Sequence, residues 1–476
     1  MRVSLIHINS WPVPVYGAAT LATVVGDAGH EVQVVDLTFR RRGQLRHVAQ
    51  ALAAHRPDVI CLSVFDELAR QICRQAKEAR PDVTVLFGGS YATLFPDEVI
   101  ADPAVDAVCV GDGEEAICDY LARRAQGAVR EPPPGFWIKV NGVPVEGPLR
   151  LPADLARVPA PDWSLWDVER YVESCPVLRG AMFIVASRGC PYACTFCARH
   201  TLRRANPGRR YLARPPEQVV REIAALRERY GDKGLRYIFF LDHVFGAQLR
   251  WLREFAQRYR EAGLATALPW ACQARAEHVT AQWAALVSGA GCRLVEFGVE
   301  TADDARRYQL LNKRTGRAVF GRAAAELRGA GIAFNVYLLA GIPGDTRREL
   351  QESVRYAESL GARVIFISRF IPVRGTELGD ACRGQGLVAP GPGGEERVVP
   401  DRMSERELSA LLWWHRLRRV VRMSRLGLRE QGLRFATGLI RDAVAVSGPS
   451  GIGFTHPLAL VSTLDRQVNL GVFQRP

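Results

Sequence analysis

The sequence predicts an α/β protein with a doubly wound N-terminal domain, a partial (β/α)6 barrel and a C-terminal helical extension. Short β-rich runs alternate with helical segments up to about residue 125, which is typical of a parallel sheet covered by helices. A proline-rich stretch follows, and six further apolar runs then alternate with helical patterns. The 476 residues suggest about three structural units. We place the boundaries at 1–130, 131–175 (linker), 176–385 and 386–476.

The net charge of +13 does not by itself indicate a nucleic-acid partner. Of the 63 basic residues, 59 are arginine, and alanine and glycine are abundant. This composition is typical of GC-rich coding bias, which makes surfaces basic without any phosphate to neutralise. We therefore expect no nucleic-acid partner.

The chain has the features of a cytoplasmic protein. No apolar stretch reaches the roughly 18 residues that a membrane-spanning helix needs, and the N-terminal run is too short for a signal peptide. The 11 cysteines are odd in number and lie mostly inside apolar runs, as reduced thiols do. We expect a cytoplasmic location and no membrane span.

Five strands are predicted in the N-terminal domain. Glycines follow the fourth and fifth strands closely, where open α/β sheets bind ligands and where glycine lets a ligand approach the backbone. Taken alone, these glycines are equally consistent with tight turns. The strands are expected at Val3 to Ile8, Glu31 to Asp36, Val59 to Val64, Val83 to Phe87 and Ala107 to Val110.

The residues that follow these strands resemble those of the cobalamin-binding domain family. Neither a Walker sequence nor a G-x-G-x-x-G follows the first strand, so nucleotide binding is disfavoured. The resemblance implies a Rossmann-like, cobalamin-binding domain. The residues that it implies as cobalamin-binding are Tyr16, Gly17, Thr38, Ser63, Val64, Gly88, Gly89, Gly111, Gly113 and Glu114.

One position departs from the best-known members of that family. They carry an Asp-x-His-x-x-Gly sequence whose histidine binds cobalt, whereas the stretch that we match to it begins Asp36-Leu-Thr38. Either cobalt has no protein imidazole beneath it, or the domain has lost its cofactor.

The linker is rich in proline and contains one hairpin signal. Asn141-Gly142 lies between β-type residues, a pattern that predicts a tight turn. The stretch Asp154 to Trp163 resembles the connector that precedes the catalytic barrel in cobalamin-dependent radical enzymes.

Three closely spaced cysteines are the strongest signal in the sequence. Cys190, Cys194 and Cys197 can bind three irons of a [4Fe–4S] cubane and leave the fourth iron open. A zinc site usually has four ligands, so the lone C-x-x-x-C-x-x-C disfavours zinc. The run Phe183 to Gly189 before them reads as one strand, and barrel enzymes place their chemistry at such strand ends.

The triad and the barrel pattern resemble the radical S-adenosylmethionine (SAM) superfamily. The resemblance implies that the open iron binds SAM, with further contacts from Phe196, Arg275, Glu300, Gly341 and Gly344. Singly, each of these would be taken as a cap or turn residue. Barrel strands are expected before the triad and at Tyr237 to Asp242, Leu268 to Arg275, Leu294 to Glu300, Phe334 to Ala340 and Val364 to Arg369, with helices at Pro216 to Tyr230 and Gly316 to Ala330.

Up to about residue 385 the chain follows the domain order of cobalamin-dependent radical SAM enzymes. The resemblance implies methylation of an unactivated carbon of a small molecule, free or carrier-bound, by a 5′-deoxyadenosyl radical and methylcobalamin. It also implies an external electron donor of the flavodoxin or ferredoxin type. An enzyme that closes, rearranges or oxidises rings without methyl transfer is the alternative. RNA methylthiolation and a cobalamin sensor with a vestigial barrel are disfavoured.

A basic helix is predicted at the C-terminal end, over Ser404 to Arg441. A solvated helical face is the default interpretation of such a charge run. The alternative is that Trp413, Trp414 and the arginines cover the substrate or dock an acidic carrier.

Overall fold

The computed structural model describes residues 1–9, 12–13, 16–40, 42–127, 129–175, 179–202, 211–391 and 396–431. The chain divides into two compact units. Unit 1 comprises Met1–Ser174 and Thr201–Leu212, and unit 2 comprises Cys175–His200 and the described residues from Ala213 onward.

A seven-stranded sheet forms the centre of unit 1. Its order is β2-β1-β3-β4-β5-β6-β7, and the first five strands are parallel. This is a doubly wound order, in which the chain reverses direction across the sheet between β1 and β3. The strands are β1 (Arg2–His7), β2 (Glu31–Asp36), β3 (Val59–Leu62), β4 (Thr84–Phe87), β5 (Ala107–Cys109), β6 (Phe136–Val140) and β7 (Val143–Glu146).

Helices connect these strands and cover a core of aliphatic residues. Ile60, Val85 and Phe87 of the central strands are buried against Ile72 of α3. Asp66 caps α3 by accepting the amide proton of Ala69, which satisfies one donor of the first turn. The helices are α1 (Tyr16–Asp27), α2 (Gln44–His55), α3 (Glu67–Ala79), α4 (Gly89–Leu94), α5 (Pro96–Ala101), α6 (Glu114–Ala125) and α7 (Val168–Ser174).

The predicted Asn-Gly hairpin is present, and it belongs to the sheet. Asn141 and Gly142 have φ of 50° and 80°, as a tight turn between β6 and β7 requires. β6 pairs antiparallel with β5, so the hairpin continues the sheet of unit 1 through the segment that the sequence assigns to the linker.

Unit 2 is built on a six-stranded parallel sheet whose order, β8-β11-β12-β13-β14-β15, follows the chain. This is the arrangement of an open, partial barrel. All six predicted barrel strands are present, but the first, predicted from Phe183 to Gly189, ends at Ile184. The strands after unit 1's sheet are β8 (Ala181–Ile184), β9 (Ser187–Gly189), β10 (Tyr211–Ala213), β11 (Tyr237–Phe240), β12 (Trp270–Gln273), β13 (Cys292–Glu300), β14 (Ala333–Ala340), β15 (Ile365–Arg369), β16 (Val388–Pro390) and β17 (Glu396–Val398).

Aromatic side chains fix the helices of unit 2 against this sheet. Phe255 of α10 packs edge-on against Phe240 and Trp270, whose ring centroids lie 5.6 and 5.8 Å away. The helices are α8 (Ala198–Leu202), α9 (Pro216–Tyr230), α10 (Leu249–Glu261), α11 (Leu264–Ala267), α12 (Ala281–Gly289), α13 (Asp304–Gln309), α14 (Arg317–Gly329), α15 (Arg347–Ser359), α16 (Glu377–Gly384) and α17 (Glu405–Gln431).

The last described helix, α17, packs on unit 2 along one side. Leu408 and Leu412 are buried with Ala340 and Leu350, while Trp413 and Trp414 are 63% and 52% exposed. The predicted continuation to residue 441 lies outside the described residues. Within the described part of the chain, no helix combines the length and apolarity needed to cross a membrane.

Candidate functional site

The strand predicted from Phe183 to Gly189 is broken into β8 and β9. Asp242, just beyond β11, accepts hydrogen bonds from the Ala186 amide (2.9 Å) and the Ser187 hydroxyl, which turns the chain between the two strands. Burial raises the pKa of Asp242 to about 6. Cys190 follows β9 directly, so the cysteine loop begins at this turn rather than at the end of a single long strand.

A segment far away in sequence holds the cysteine loop in place. Asn312, in the left-handed region with φ of 46°, donates through Nδ2 to the carbonyl oxygen of Ala193 at 2.8 Å. The Thr195 hydroxyl donates to the carbonyl oxygen of Leu310 at 2.5 Å, and the Thr195 amide to that of Leu311 at 3.2 Å. Three hydrogen bonds from or to this segment therefore fix the backbone of the cysteine loop.

Arg275, which the sequence assigned to SAM, contacts the cysteine loop. Its Nη1 lies 3.4 Å from the Sγ of Cys194, and its guanidinium carbon lies 3.6 Å from the centroid of the Tyr192 ring. Both Arg275 and Cys194 are 8% exposed. A buried cation thus lies beside one of the three thiols.

The three cysteines suit a multi-iron cluster. Burial raises the pKa of Cys190 and Cys197, so these thiols stay protonated until a metal displaces the proton. Among the described residues, no three His, Cys, Asp or Glu side chains converge where one metal ion could be held. Three thiolates can instead each bind a different iron of a cubane.

Glu300 lies at the end of β13 with its side chain folded back. Its φ is +67°, in the left-handed region, and its Oε1 accepts a hydrogen bond from Lys313 Nζ at 2.7 Å. Lys313 also donates to the carbonyl oxygen of Gly298 at 2.6 Å. A Cβ at position 298 would collide with the Glu300 carboxylate and lie 2.9 Å from Lys313 Nζ, so any side chain there would displace this pair. Sequence reasoning missed Lys313, although the chain has only four lysines.

The glycine loop after β14 has its amide protons occupied within unit 2. Asp345 accepts from the amide of Gly341 at 2.8 Å, and Asp401 accepts from that of Gly344 at 2.6 Å. Both glycines have positive φ, 76° and 79°. The loop is therefore shaped by the carboxylates of Asp345 and of the distant Asp401, and its role toward SAM stays a prediction.

Phe196 packs into an apolar cluster. Its neighbours there include Leu311, Ile342 and Phe370, all buried. The side chain anchors the loop between Cys194 and Cys197, and its predicted contact with SAM is not tested by this packing.

The residues predicted to bind cobalamin follow the carboxyl ends of parallel strands, which share one edge of unit 1's sheet. Gly89, with φ of 83°, leaves only 3.1 Å between a built Cβ and the carbonyl oxygen of Ser63, so the chain after β4 passes close to the chain after β3. The amide of Gly111 donates to the Thr93 hydroxyl at 3.1 Å. Val64 and Gly88 lie at this edge, Gly113 and Glu114 begin α6, and Tyr16 and Gly17 begin α1.

Thr38 does not present a free hydroxyl. Its Oγ1 lies 2.9 Å from the Tyr171 hydroxyl, which donates to Asp36 Oδ2 at 2.7 Å. Burial and the neighbouring Asp36 raise the pKa of Tyr171. This network ties the end of β2 to α7, so Thr38 has a structural role at the position we matched to the family's histidine.

Sequence reasoning missed a pair of buried polar rings near the same edge. His7, at the end of β1, is 2% exposed and has no hydrogen-bond partner at Nδ1 or Nε2 among the residues that the structure describes. Trp166 packs edge-on at 5.3 Å, and its Nε1 is also without a partner. Unsatisfied buried polar atoms are costly. Since corrin side chains carry amide donors and acceptors, this cluster is suited to a cobalamin. In the sequence, the signal for this cluster is that His7 directly follows two apolar residues, Leu5 and Ile6, at the end of β1.

A known family model matches part of each of the two units. The model of the B12 binding domain matches residues 12–121, and that of the Radical SAM superfamily matches residues 184–357. Together they cover more than half of the chain in the order that the sequence predicts. The chain belongs to the cobalamin-dependent radical SAM enzymes. Its cofactors are accordingly cobalamin, SAM and a [4Fe–4S] cluster, as predicted.

Curated relatives of this radical SAM enzyme include methyltransferases and a cyclase. An uncharacterized methyltransferase of Pyrococcus horikoshii is 25% identical over 77% of each chain. Cytidylyl-2-hydroxyethylphosphonate methyltransferase of Streptomyces wedmorensis is 24% identical, over 79% of this chain and 78% of its own. Anaerobic magnesium-protoporphyrin IX monomethyl ester cyclase of Rubrivivax gelatinosus is 26% identical, over 75% of this chain and 65% of its own.

Solved structures confirm the fold. The cobalamin-dependent SAM radical enzyme OxsB, with aqua-cobalamin and SAM bound, superposes with a TM-score of 0.73 at 15% identity, covering 99% of this chain and 80% of that one. The radical SAM methyltransferase TsrM from Kitasatospora setae has a TM-score of 0.68 at 22% identity, with 82% and 78% covered.

Proposed function

We propose that this enzyme methylates an unactivated carbon of a small molecule, with SAM as the source of both the radical and the methyl group. The observation that carries the proposal is the hydrogen-bonded cysteine loop, with a buried guanidinium beside it, in a chain that also has a B12 binding domain. The methyltransferases among the relatives, including the two described above, support methyl transfer.

When bound, SAM and the cluster supply a 5′-deoxyadenosyl radical that abstracts hydrogen, and cobalamin carries the methyl group. The chain's own residues hold and shield these groups. Cys190, Cys194 and Cys197 hold the cluster. Glu300 offers a carboxylate for hydroxyl groups of SAM, and the loop from Gly341 to Gly344 is the second contact that we propose for SAM.

Ring chemistry without methyl transfer is the second candidate, because cyclases are also among the relatives. The two candidates differ in what becomes of the SAM methyl group. We propose an external one-electron donor of the flavodoxin or ferredoxin type for either. A carrier-bound substrate is a further proposal, which the exposed Trp413 and Trp414 of the basic α17 support.

Transfer of a labelled methyl group tests the proposal. Anaerobically reconstituted enzyme is incubated with trideuteromethyl-SAM, a reductant and candidate small molecules, and the products are examined by mass spectrometry. We expect a product in which one CD3 group replaces one hydrogen, together with 5′-deoxyadenosine. A product without deuterium would support the cyclase candidate, and neither product should form with the Cys190→Ala/Cys194→Ala/Cys197→Ala variant.

We also propose that Thr38 gives no ligand to cobalt, because its hydroxyl is already bonded to Tyr171. Electron paramagnetic resonance of bound cob(II)alamin tests this. The spectrum of a Thr38→Val variant should match that of the wild type. Nitrogen superhyperfine splitting that disappears in a His7→Phe variant would identify His7 as a cobalt ligand, whereas splitting that persists in both variants would come from the nucleotide base of cobalamin itself.

A further inference from the structure

The guanidinium of Arg275 is fixed beside a cysteine that the proposed function makes a cluster ligand. Its Nη1 points to the Sγ of Cys194 at 3.4 Å, within the range of a hydrogen bond to sulfur. The Tyr192 ring covers one face of the guanidinium at 3.6 Å. An arginine stacked on an aromatic ring in this way has few other orientations open to it.

The other donors of Arg275 are held by an acid and a hydroxyl. Nε donates to Glu277 at 3.2 and 3.3 Å to its two carboxylate oxygens, and Nη2 donates to the Thr315 hydroxyl at 3.1 Å. Thr315 in turn donates to Glu277. Glu277 and Thr315 therefore orient the guanidinium so that Nη1 remains for the sulfur.

We propose that Arg275 is a positioning residue that donates a charged hydrogen bond to the thiolate of Cys194 and thereby raises the reduction potential of the cluster. This assignment differs from a direct contact between Arg275 and SAM, and it rests on the proposed function only in that Cys194 must bind the cluster.

The direction of the effect follows from charge. Reduction adds one electron to the cluster, so a nearby positive donor stabilises the reduced form more than the oxidised one. Hydrogen bonds to ligand sulfur are a recognised determinant of cluster potentials, and charged hydrogen bonds are stronger than neutral ones. Because the pair is buried, water screens it little. An electron donor therefore finds the cluster easier to reduce than it would be without Arg275.

The experiment is a redox titration of the reconstituted full chain, without SAM, followed by electron paramagnetic resonance of the reduced cluster. Arg275→Gln should lower the equilibrium constant for reduction at least tenfold, which is 59 mV for one electron. Arg275→Lys keeps the positive charge but loses the planar guanidinium that donates to Cys194, so its reduction potential should lie between those of Arg275→Gln and the wild type. Arg253→Gln, at an exposed arginine of α10, is the matched control and should match the wild type.

Iron content and SAM affinity are measured on the same samples. If Arg275→Gln fails to load iron, the reduction potential of Arg275→Lys relative to the wild type tests the proposal. Reduction potentials equal to that of the wild type in every Arg275 variant that loads iron would overturn the proposal. A selective loss of SAM affinity in these Arg275 variants would instead favour a direct contact between Arg275 and SAM. A wild-type chain without a cluster would overturn both this proposal and the proposed function.

Discussion

Glu300 and Lys313 form a buried ion pair in unit 2. Lys313 and Glu300 have side chains only 7% and 10% exposed, and Lys313 also binds the carbonyl oxygen of Gly298. The lysine compensates the buried carboxylate and holds it over Gly298. The orientation of Glu300, and hence any contact it makes with SAM, depends on Lys313.

Replacing Lys313 should destabilise unit 2. In Lys313→Met the carboxylate of Glu300 stays buried without its partner, a change that typically costs about 3–5 kcal/mol. Chemical denaturation of the apo chain should show a loss of this order, and Lys233→Met, at an exposed lysine, should show almost none. The double variant Lys313→Met/Glu300→Gln should recover part of the loss, because it removes both charges. A single variant as stable as the wild type would contradict the buried ion pair.

Removing the carboxylate of Glu300 should weaken SAM binding. Loss of a hydrogen bond to a charged group typically costs about 1.5–3 kcal/mol, so Glu300→Ala should bind SAM roughly 10- to 150-fold more weakly. Calorimetric titration of the folded, cluster-loaded variant measures this, and circular dichroism checks that the loss of the Lys313 pair has not unfolded it. Affinity within about threefold of the wild type would leave Glu300 with a structural role alone.

At the scale of elements, the loop after β14 is shaped by carboxylates. Asp345 is 4% exposed, accepts from the amides of Gly341 and Ile342, and pairs with Arg306 at 2.7 Å. Burial nevertheless raises the pKa of Asp345 from 3.8 to about 6, against the lowering by Arg306 and the amides. The loop that we propose for SAM therefore contains an acid that titrates in mildly acidic solution.

The pKa of Asp345 predicts a pH dependence of stability. Between pH 4 and 6 the folded chain holds a proton on Asp345 that the unfolded chain has lost, so raising the pH through this window lowers the free energy of unfolding. The change is about 3 kcal/mol. Asp345→Asn cannot titrate and should lack it, whereas Asp232→Asn, at an exposed position, should retain it. Denaturation at several pH values would contradict the account if all three proteins lost stability equally.

The periodic elements could be predicted from the sequence, and the contacts between distant loops could not. The strand β2 has the predicted bounds, Glu31–Asp36, because its valines mark it locally. The helix α9 has the predicted bounds, Pro216–Tyr230, because a proline begins it and Gly231 follows it. In contrast, Asn312 binds the cysteine loop across 119 residues. No local sequence pattern marks such a partner. The cysteines therefore predict the cluster loop, but the sequence does not predict the hydrogen bond from Asn312 that holds it.

At the scale of the whole molecule, the chain combines a B12 binding domain with a radical SAM domain. Each unit contains buried polar groups that suit a bound cofactor. In unit 1 these are the rings of His7 and Trp166, which have no hydrogen-bond partner among the described residues, and in unit 2 it is the guanidinium of Arg275 beside Cys194. The central claim is therefore that one chain carries both metal cofactors at independent sites.

Metal analysis tests this claim most directly. The full chain is reconstituted anaerobically with iron, sulfide and cobalamin, desalted, and analysed for iron and cobalt by mass spectrometry, beside the Cys190→Ala/Cys194→Ala/Cys197→Ala variant. We expect about four iron atoms and about one cobalt atom per wild-type chain, from one [4Fe–4S] cluster and one cobalamin. The variant should lose the iron and keep the cobalt, and unchanged iron in the variant, or no cobalt in either protein, would contradict the account.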